Sequence, residues 1–222
     1  MRVEEAQDIS ARVRALNLQA GTVCLNLGSS TKQFREVDQP HIHRLLIAPL
    51  EASGIIFVHC DIKCDEGVEM VGDVLASEFQ SQLVQRGAAL LLCCNILEHL
   101  TDPQAFATAC ANLVRPGGYA VVSVPLSYPY HPDPIDTMLR PTPEEIARLF
   151  PGWMIVHGAQ VTSGSFWSDL MAHRDGARRL LTHLGRVLMP FYRPRNWVPM
   201  AHRLLWLFKP YKVSVVLLHK PA

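Results

Sequence analysis

Short β-prone apolar runs alternate along this chain with stretches of helical character, and that alternation constrains the fold more than any other feature. Runs at 22–27 (TVCLNL), 55–61 (IIFVHCD), 68–74, 88–94 (AALLLCC), 119–125 (YAVVSVP), 153–161 and 211–219 read as strands, the third the weakest. Ahead of the first run 3–17, and between later ones 77–86, 103–114 and 142–150, read as helices. The first carries acids early and arginines late, as the helix dipole favours. Pro103 opens the third, which runs into Pro116, Gly117 and Gly118, the expected order of start and stop residues. Thr142, Pro143 and Glu145 predict an N-cap, a proline in the first turn and a capping box. The implied fold is α/β, with a mostly parallel sheet covered on both faces, because strands buried on both sides read as continuous apolar runs. At 222 residues a single domain is expected.

Composition excludes several classes. Hydrophobic residues make up 49% and charged residues 18%, which does not describe a disordered chain. The net charge of +1 supplies no general field for nucleic acid. No apolar run approaches the length needed to span a bilayer, and the opening MRVEEAQDIS carries acids where a signal peptide would be apolar, so a cytoplasmic chain is expected. The six cysteines fit that compartment, and Cys24, Cys60, Cys93 and Cys94 lie inside apolar runs where a thiol packs as a small hydrophobe. Cys60, Cys64 and His59 lack a second ligand pair at zinc spacing, so no metal site is expected.

In open parallel sheets the ligand crevice lies beyond the carboxyl ends of the strands, which directs attention to the residues just after each run. After the first come Asn26, Gly28, Ser29 and Ser30, where Gly28 permits a tight turn and close approach. A second and third glycine of the pyrophosphate fingerprint are missing, as is the Gly-Lys-Ser/Thr of a triphosphate loop, so dinucleotides and ATP lose ground. Asp61 ends the second run and can accept both hydroxyls of a ribose. Glu51 fits the usual spacing better but lies in a helix-like stretch. Asp73 ends the third run, where it can reach an adenine amino group or serve as a turn residue.

The segments LNLGSS, CDIK, GDVL, NILEHLTDP, VRPGGYAVVSVP and PYHPDPIDTMLRPTPEEIARLFPG together resemble class I S-adenosylmethionine-dependent methyltransferases, a Rossmann-like family. NILEHL followed by RPGG is the most specific part. The stretch Tyr128, His131, Pro134, Asp136, Arg140 further resembles small methyltransferases of surface-glycan and secondary-metabolite clusters. The resemblance implies a seven-stranded, mostly parallel sheet with an antiparallel last strand, and S-adenosylmethionine as cofactor. It implies that Asn26, Gly28, Ser29 and Ser30 face the amino-acid part of that cofactor and that Asp61 holds its ribose. Asp73 and Val74 would flank its adenine, and Asn95, Ile96 and Leu97 would line the methionine side. Two positions depart from the family pattern: Asn26 stands where an acid is usual and Ser30 where a second glycine is usual.

Methyl transfer to a hydroxyl asks for placement and a base. His131 is the expected base, with Asp136 orienting it or gripping a substrate hydroxyl, and with Tyr128, Tyr130 and Arg140 shaping the acceptor pocket. His99 is the alternative base, or a local cap. A proline-stiffened surface loop accounts for the same residues. The acceptor class implied is a small molecule or glycan, and a module of the same fold that binds without catalysing is the alternative, supported by Asn26 and Ser30. Residues 165–210 form a helical insertion with a net charge of +6, interleaved with Leu, Met, Phe and Trp, and expected as two helices over 168–189 and 199–208 split by Pro190, Pro194 and Pro199. Such a segment reads as a lid, a homodimer contact or a peripheral contact to the inner membrane face, where it would suit a lipid-linked acceptor.

Overall fold

A computed structural model describes residues 1–131, 135–172, 174–189, 191 and 194–222. Pro134 and Pro190, named above, lie outside the described residues. The apolar runs become β1 (Val23–Leu27), β2 (Ile56–Asp61), β3 (Met70–Val71), β4 (Leu90–Cys94), β5 (Tyr119–Ser127), β6 (Met154–Ser163) and β7 (Tyr211–His219). They form one seven-stranded sheet in the order β3-β2-β1-β4-β5-β7-β6. Strands β1 to β5 pair in parallel, whereas β7 is antiparallel to both β5 and β6. This is the expected architecture, with the third strand reduced to two residues.

Alternate residues of the central strands feed two apolar layers, as the two-residue period requires. Leu91 and Cys93 of β4 pack on one face with Phe79, Leu83, Phe106 and Phe150. Leu90 and Leu92 pack on the other with Ala6, Ile9, Val13, Leu46 and Leu50. Leu92 is 1% exposed, so Leu92→Ala removes packing on the order of 2–5 kcal/mol. The covering helices are Val3–Ala15, Ser77–Val84, Pro103–Leu113 and Pro143–Arg148, with a run of short helical turns over 34–52 that includes π-type turns at Phe34–Asp38 and His43–Ile47. Asp102 caps Pro103–Leu113 by accepting from the Ala105 amide, and the Thr142/Glu145 capping box is present with both reciprocal bonds. The first helix ends at Ala15, earlier than 17, because Asn17 turns to a left-handed conformation at φ 49°.

The insertion differs from the two expected helices. It contains Phe166–Met171, Gly176–Val187 and Pro194–Arg203, followed by a single turn at Leu204–Trp206. The break within 168–189 is held by Gly176, where a Cβ would collide with the Leu170 carbonyl, so the two helices meet at a spacing that glycine permits. Pro199 does not start a helix. It lies inside Pro194–Arg203, where it removes one main-chain donor without ending the element.

Candidate functional site

The register aligns the carboxyl ends of the central strands, with Leu27 of β1 opposite both Cys60 of β2 and Cys93 of β4. Gly28 therefore emerges next to Asp61 and beneath the turn that follows β4. It is exposed and turns at φ 59°, and a Cβ there would stand 2.7 Å from Ile96 Cδ1. Ser30 holds φ 55°, a conformation more usual for glycine. Its amide donates to Asp61 Oδ2 at 2.7 Å, and the Lys63 amide donates to Asp61 Oδ1 at 3.0 Å. Asp61 thus faces the β1 turn with both oxygens anchored, each retaining a lone pair.

Beneath this turn lies a buried cation that the sequence reading missed. Arg35 is 4% exposed and donates to the carbonyls of Ser29 (3.1 Å), Ser30 (2.6 Å) and Gly67 (2.8 Å). Burial lowers its pKa, against the pull of Glu69, Glu36 and Asp61. Asn26 gives its side-chain N–H to Nδ1 of His59 at 3.0 Å, so His59 must keep that nitrogen unprotonated. Burial, Arg35 and His43 push the His59 pKa down to about 3. Asp73 is exposed and its Oδ1 accepts from the Leu75 amide at 2.9 Å, forming a turn ahead of Ser77–Val84. Val74 is buried in the core beside it.

The end of β4 is organised by a second missed residue. Glu5 of the first helix is 1% exposed, and its Oε1 accepts from Ser123 Oγ of β5 (2.6 Å) and from Asn95 Nδ2 (2.8 Å). Those bonds hold Asn95 at φ 55° and set the course of the chain that follows. Ile96 then lies over Gly28, and Leu97 is fully buried. The next residue, Glu98, is 0% exposed, and neither of its carboxylate oxygens has a hydrogen-bond partner. Burial pushes its pKa up to about 7, with Arg140 acting in the opposite sense. Its carbonyl accepts from the amide and hydroxyl of Thr137 at 2.8 and 3.0 Å, which stitches this turn to the loop after β5.

That loop brings the expected acceptor-side residues together around Asp136. Its carboxylate accepts from the His131 amide (3.0 Å), the Met138 amide (2.8 Å) and both terminal nitrogens of Arg140 (3.0 and 2.7 Å). Burial raises the Asp136 pKa, but the Arg140 and amide donors outweigh it and hold the carboxyl down at about 2. The His131 Nδ1 lies 3.2 Å from both Pro129 O and Asp136 Oδ2, so that nitrogen carries the proton and Nε2 keeps the lone pair. Asp136 therefore orients His131, and Arg140 braces Asp136. The Tyr128 ring meets His131 edge-on at 5.0 Å, and the Tyr130 amide donates to His202 Nδ1 of the insertion at 3.3 Å.

The insertion folds back on the same rim. Trp206 Nε1 donates to Ser127 Oγ at the end of β5 at 3.1 Å, and Phe166, Leu170, Trp206 and Tyr211 pack into a small cluster that Tyr128 joins. Arg2 clamps it from the other side through two bonds to Asp169 at 3.2 and 2.7 Å while stacking 4.9 Å above the Tyr211 ring. Among the described residues no helix is long and apolar enough to cross a membrane.

No family model matches the chain. A ubiquinone biosynthesis O-methyltransferase of Cupriavidus pinatubonensis is 36% identical over 59 residues, a match that spans 27% of this chain and 24% of that protein. Among solved structures, coclaurine N-methyltransferase bound to N-methylheliamine and SAH is similar over 98% of this chain and 70% of its own, at 13% identity and a TM-score of 0.57. Phosphoethanolamine N-methyltransferase 2 of Haemonchus contortus, in complex with S-adenosyl-L-methionine, is similar over 98% of this chain and 52% of its own, at 10% identity and a TM-score of 0.52. The [4+2]-cyclase SpnF is similar over 99% of this chain and 80% of its own, at 11% identity and a TM-score of 0.55, so this architecture also carries other chemistry. By strand order and by these likenesses, the chain has the class I S-adenosylmethionine-dependent methyltransferase fold.

Proposed function

We propose that this chain transfers a methyl group from S-adenosylmethionine to a small-molecule or glycan acceptor. The observation that supports this most is the convergence of Gly28, Asp61 and Ile96 at the carboxyl ends of three adjacent parallel strands. The residues there fit the cofactor. Gly28, whose missing Cβ makes room for Ile96 over the turn, keeps its backbone exposed for the amino-acid tail, and an anchored carboxylate faces the place of a ribose. When bound, the cofactor supplies a methyl group already activated by its sulfonium. Asp61 accepts from the ribose hydroxyls with its remaining lone pairs. Ile96 shields that side of the cleft from water. His131, oriented through Nδ1, offers Nε2 to the proton of an acceptor hydroxyl. Asn26, committed to His59, brings no charge to the cofactor ammonium, so binding is weaker by around 1.5–3 kcal/mol than a carboxylate there would give.

Calorimetry with S-adenosylmethionine tests the reading directly. Micromolar binding is expected, reduced roughly 10–100-fold in Asp61→Asn. Methyl-labelled cofactor incubated with small-molecule and lipid extracts should label an acceptor with the parent chain, whereas His131→Ala should bind cofactor and label nothing. Silence at millimolar cofactor would turn the assignment to a non-catalytic module.

We further propose that the insertion seats the chain on an anionic lipid surface, which brings a lipid-linked acceptor within reach. Leu188 is 81% and Phe191 94% exposed, and Leu181, Leu205 and Phe208 are exposed as well, beside Arg178, Arg179 and Arg186. Apolar side chains standing in water among cations match the chemistry of a headgroup layer. Flotation with anionic liposomes should recover the chain. Equal recovery after Leu188→Glu and Phe191→Glu refutes the docking.

A further inference from the structure

Glu98 and two imidazoles converge at the rim, and among the described residues neither carboxylate oxygen of Glu98 has a hydrogen-bond partner. Glu98 Oε1 lies 3.7 Å from Nε2 of His99 and 3.9 Å from Nε2 of His131, and the ligating atoms of all three lie within 4.8 Å of one another. Both ring orientations are fixed from behind. Nδ1 of His99 donates to the Ile135 carbonyl, and Nδ1 of His131 has Pro129 O and Asp136 Oδ2 as its acceptors. Each imidazole therefore points an Nε2 lone pair at the buried, unpartnered carboxylate. These separations are too long for hydrogen bonds and put electron-rich atoms face to face, an arrangement that a shared proton or a bound cation relieves. A carbonyl or carboxylate behind each imidazole is the usual support of a metal-ligating histidine.

We propose that Glu98, His99 and His131 bind one divalent first-row transition cation, of which zinc is the type. Two imidazole nitrogens and one carboxylate suit such an ion better than magnesium or calcium, which prefer oxygen ligands. Around a tetrahedral ion with bonds of about 2.0–2.2 Å, neighbouring ligand atoms lie roughly 3.3–3.6 Å apart, so small side-chain rotations close the set. The ligands come from two segments already tied together by the Thr137 bonds to the Glu98 carbonyl, so the site is largely preformed. The His131 side chain is 34% exposed and that of Glu98 fully buried, so a bound ion would keep its open side toward His131 and solvent. The lone pair that serves as base in the metal-free chain would be committed to the ion when one is bound, and an acceptor hydroxyl held by the ion would then give its proton to water.

Metal uptake is read without cofactor or acceptor, so its failure and the failure of the methyl-transfer reading are separate results. Chelator-stripped protein titrated with zinc in the calorimeter, and with cobalt in the visible absorption, should take up one equivalent per chain at micromolar concentration or below. His99→Ala and His131→Ala, both at partly exposed positions, should each weaken uptake by more than the roughly 10–100-fold typical of losing an outer partner. Glu98→Gln should do the same, with far-UV circular dichroism as its folding control. No uptake of either metal, or uptake unchanged in the His99→Ala/His131→Ala double variant, overturns the site.

Discussion

His59 makes the carboxyl end of the sheet sensitive to acid. The residue is 7% exposed, and its ring stacks on Phe57 at 5.5 Å and accepts from Asn26 through Nδ1. Protonation would remove that acceptor and place a cation near Arg35 and His43, which together with burial accounts for a pKa of about 3 against the ordinary 6.5. Above 6.5 both the folded and unfolded forms are neutral here; between 6.5 and about 3 the unfolded chain binds a proton that the folded one refuses. Stability from this residue is therefore complete at neutral pH and is lost as the pH falls through that window. At about pH 4.5 the loss is two pH units at roughly 1.4 kcal/mol each, or about 2–3 kcal/mol, equivalent to about 5–10 °C in melting temperature for a chain of this size. His59→Asn retains an acceptor near the Nδ1 position and removes the titration. Urea unfolding of the parent and the variant at about pH 7.5 and about pH 4.5 gives a double difference in which the carboxylates common to both cancel. The parent should lose about 2–3 kcal/mol more than the variant on acidification. Equal losses in the two proteins would refute the reasoning.

Three further outcomes are expected. Gly28→Ala, strained at φ 59° and in conflict with Ile96, should cost about 1–2 kcal/mol in urea unfolding and weaken cofactor binding, and adding Ile96→Ala should recover the steric part only. Arg35→Met should cost roughly 2–4 kcal/mol, because three carbonyls of the Ser29–Ser30 and Gly67 turns lose their donor, and thermal unfolding measures it. Arg2→Ala should change global stability by less than about 1 kcal/mol, since the Arg2–Asp169 pair is partly exposed, yet chymotrypsin should cut the insertion faster; an unchanged cleavage rate counts against the clamp.

Features generated by local chemistry were legible before any coordinates. The strands declared themselves as apolar runs, Thr142 and Glu145 form the capping box their spacing implied, and Asp61 stands at a strand end beside Gly28. Features generated by distant partners were not. Glu5 looks like any early helical acid, and its meaning comes from Asn95 and Ser123, 90 and 118 residues away. Arg35 reads as a surface cation until the carbonyls of two loops close on it. Glu98 was visible within NILEHL, but its neighbour His131 arrives only after β5, so no local spacing announced the grouping. In the insertion, proline positions suggested helix ends, whereas Gly176 and the Leu170 carbonyl decide where the chain breaks.

The place of β7 has a bearing on how the molecule is assembled. It lies between β5 and β6, so the two strands it joins have no bond to each other until residues 211–219 arrive. A fragment ending at 210 would hold the inner edge of β5 open, leave β6 without its neighbour and carry the amphipathic insertion unanchored by Tyr211. Such a fragment presents raw edge and apolar helix at once, a combination prone to intermolecular pairing. Completion of the sheet is thus a late, long-range event in this chain, and nascent forms have reason to be shielded until it occurs.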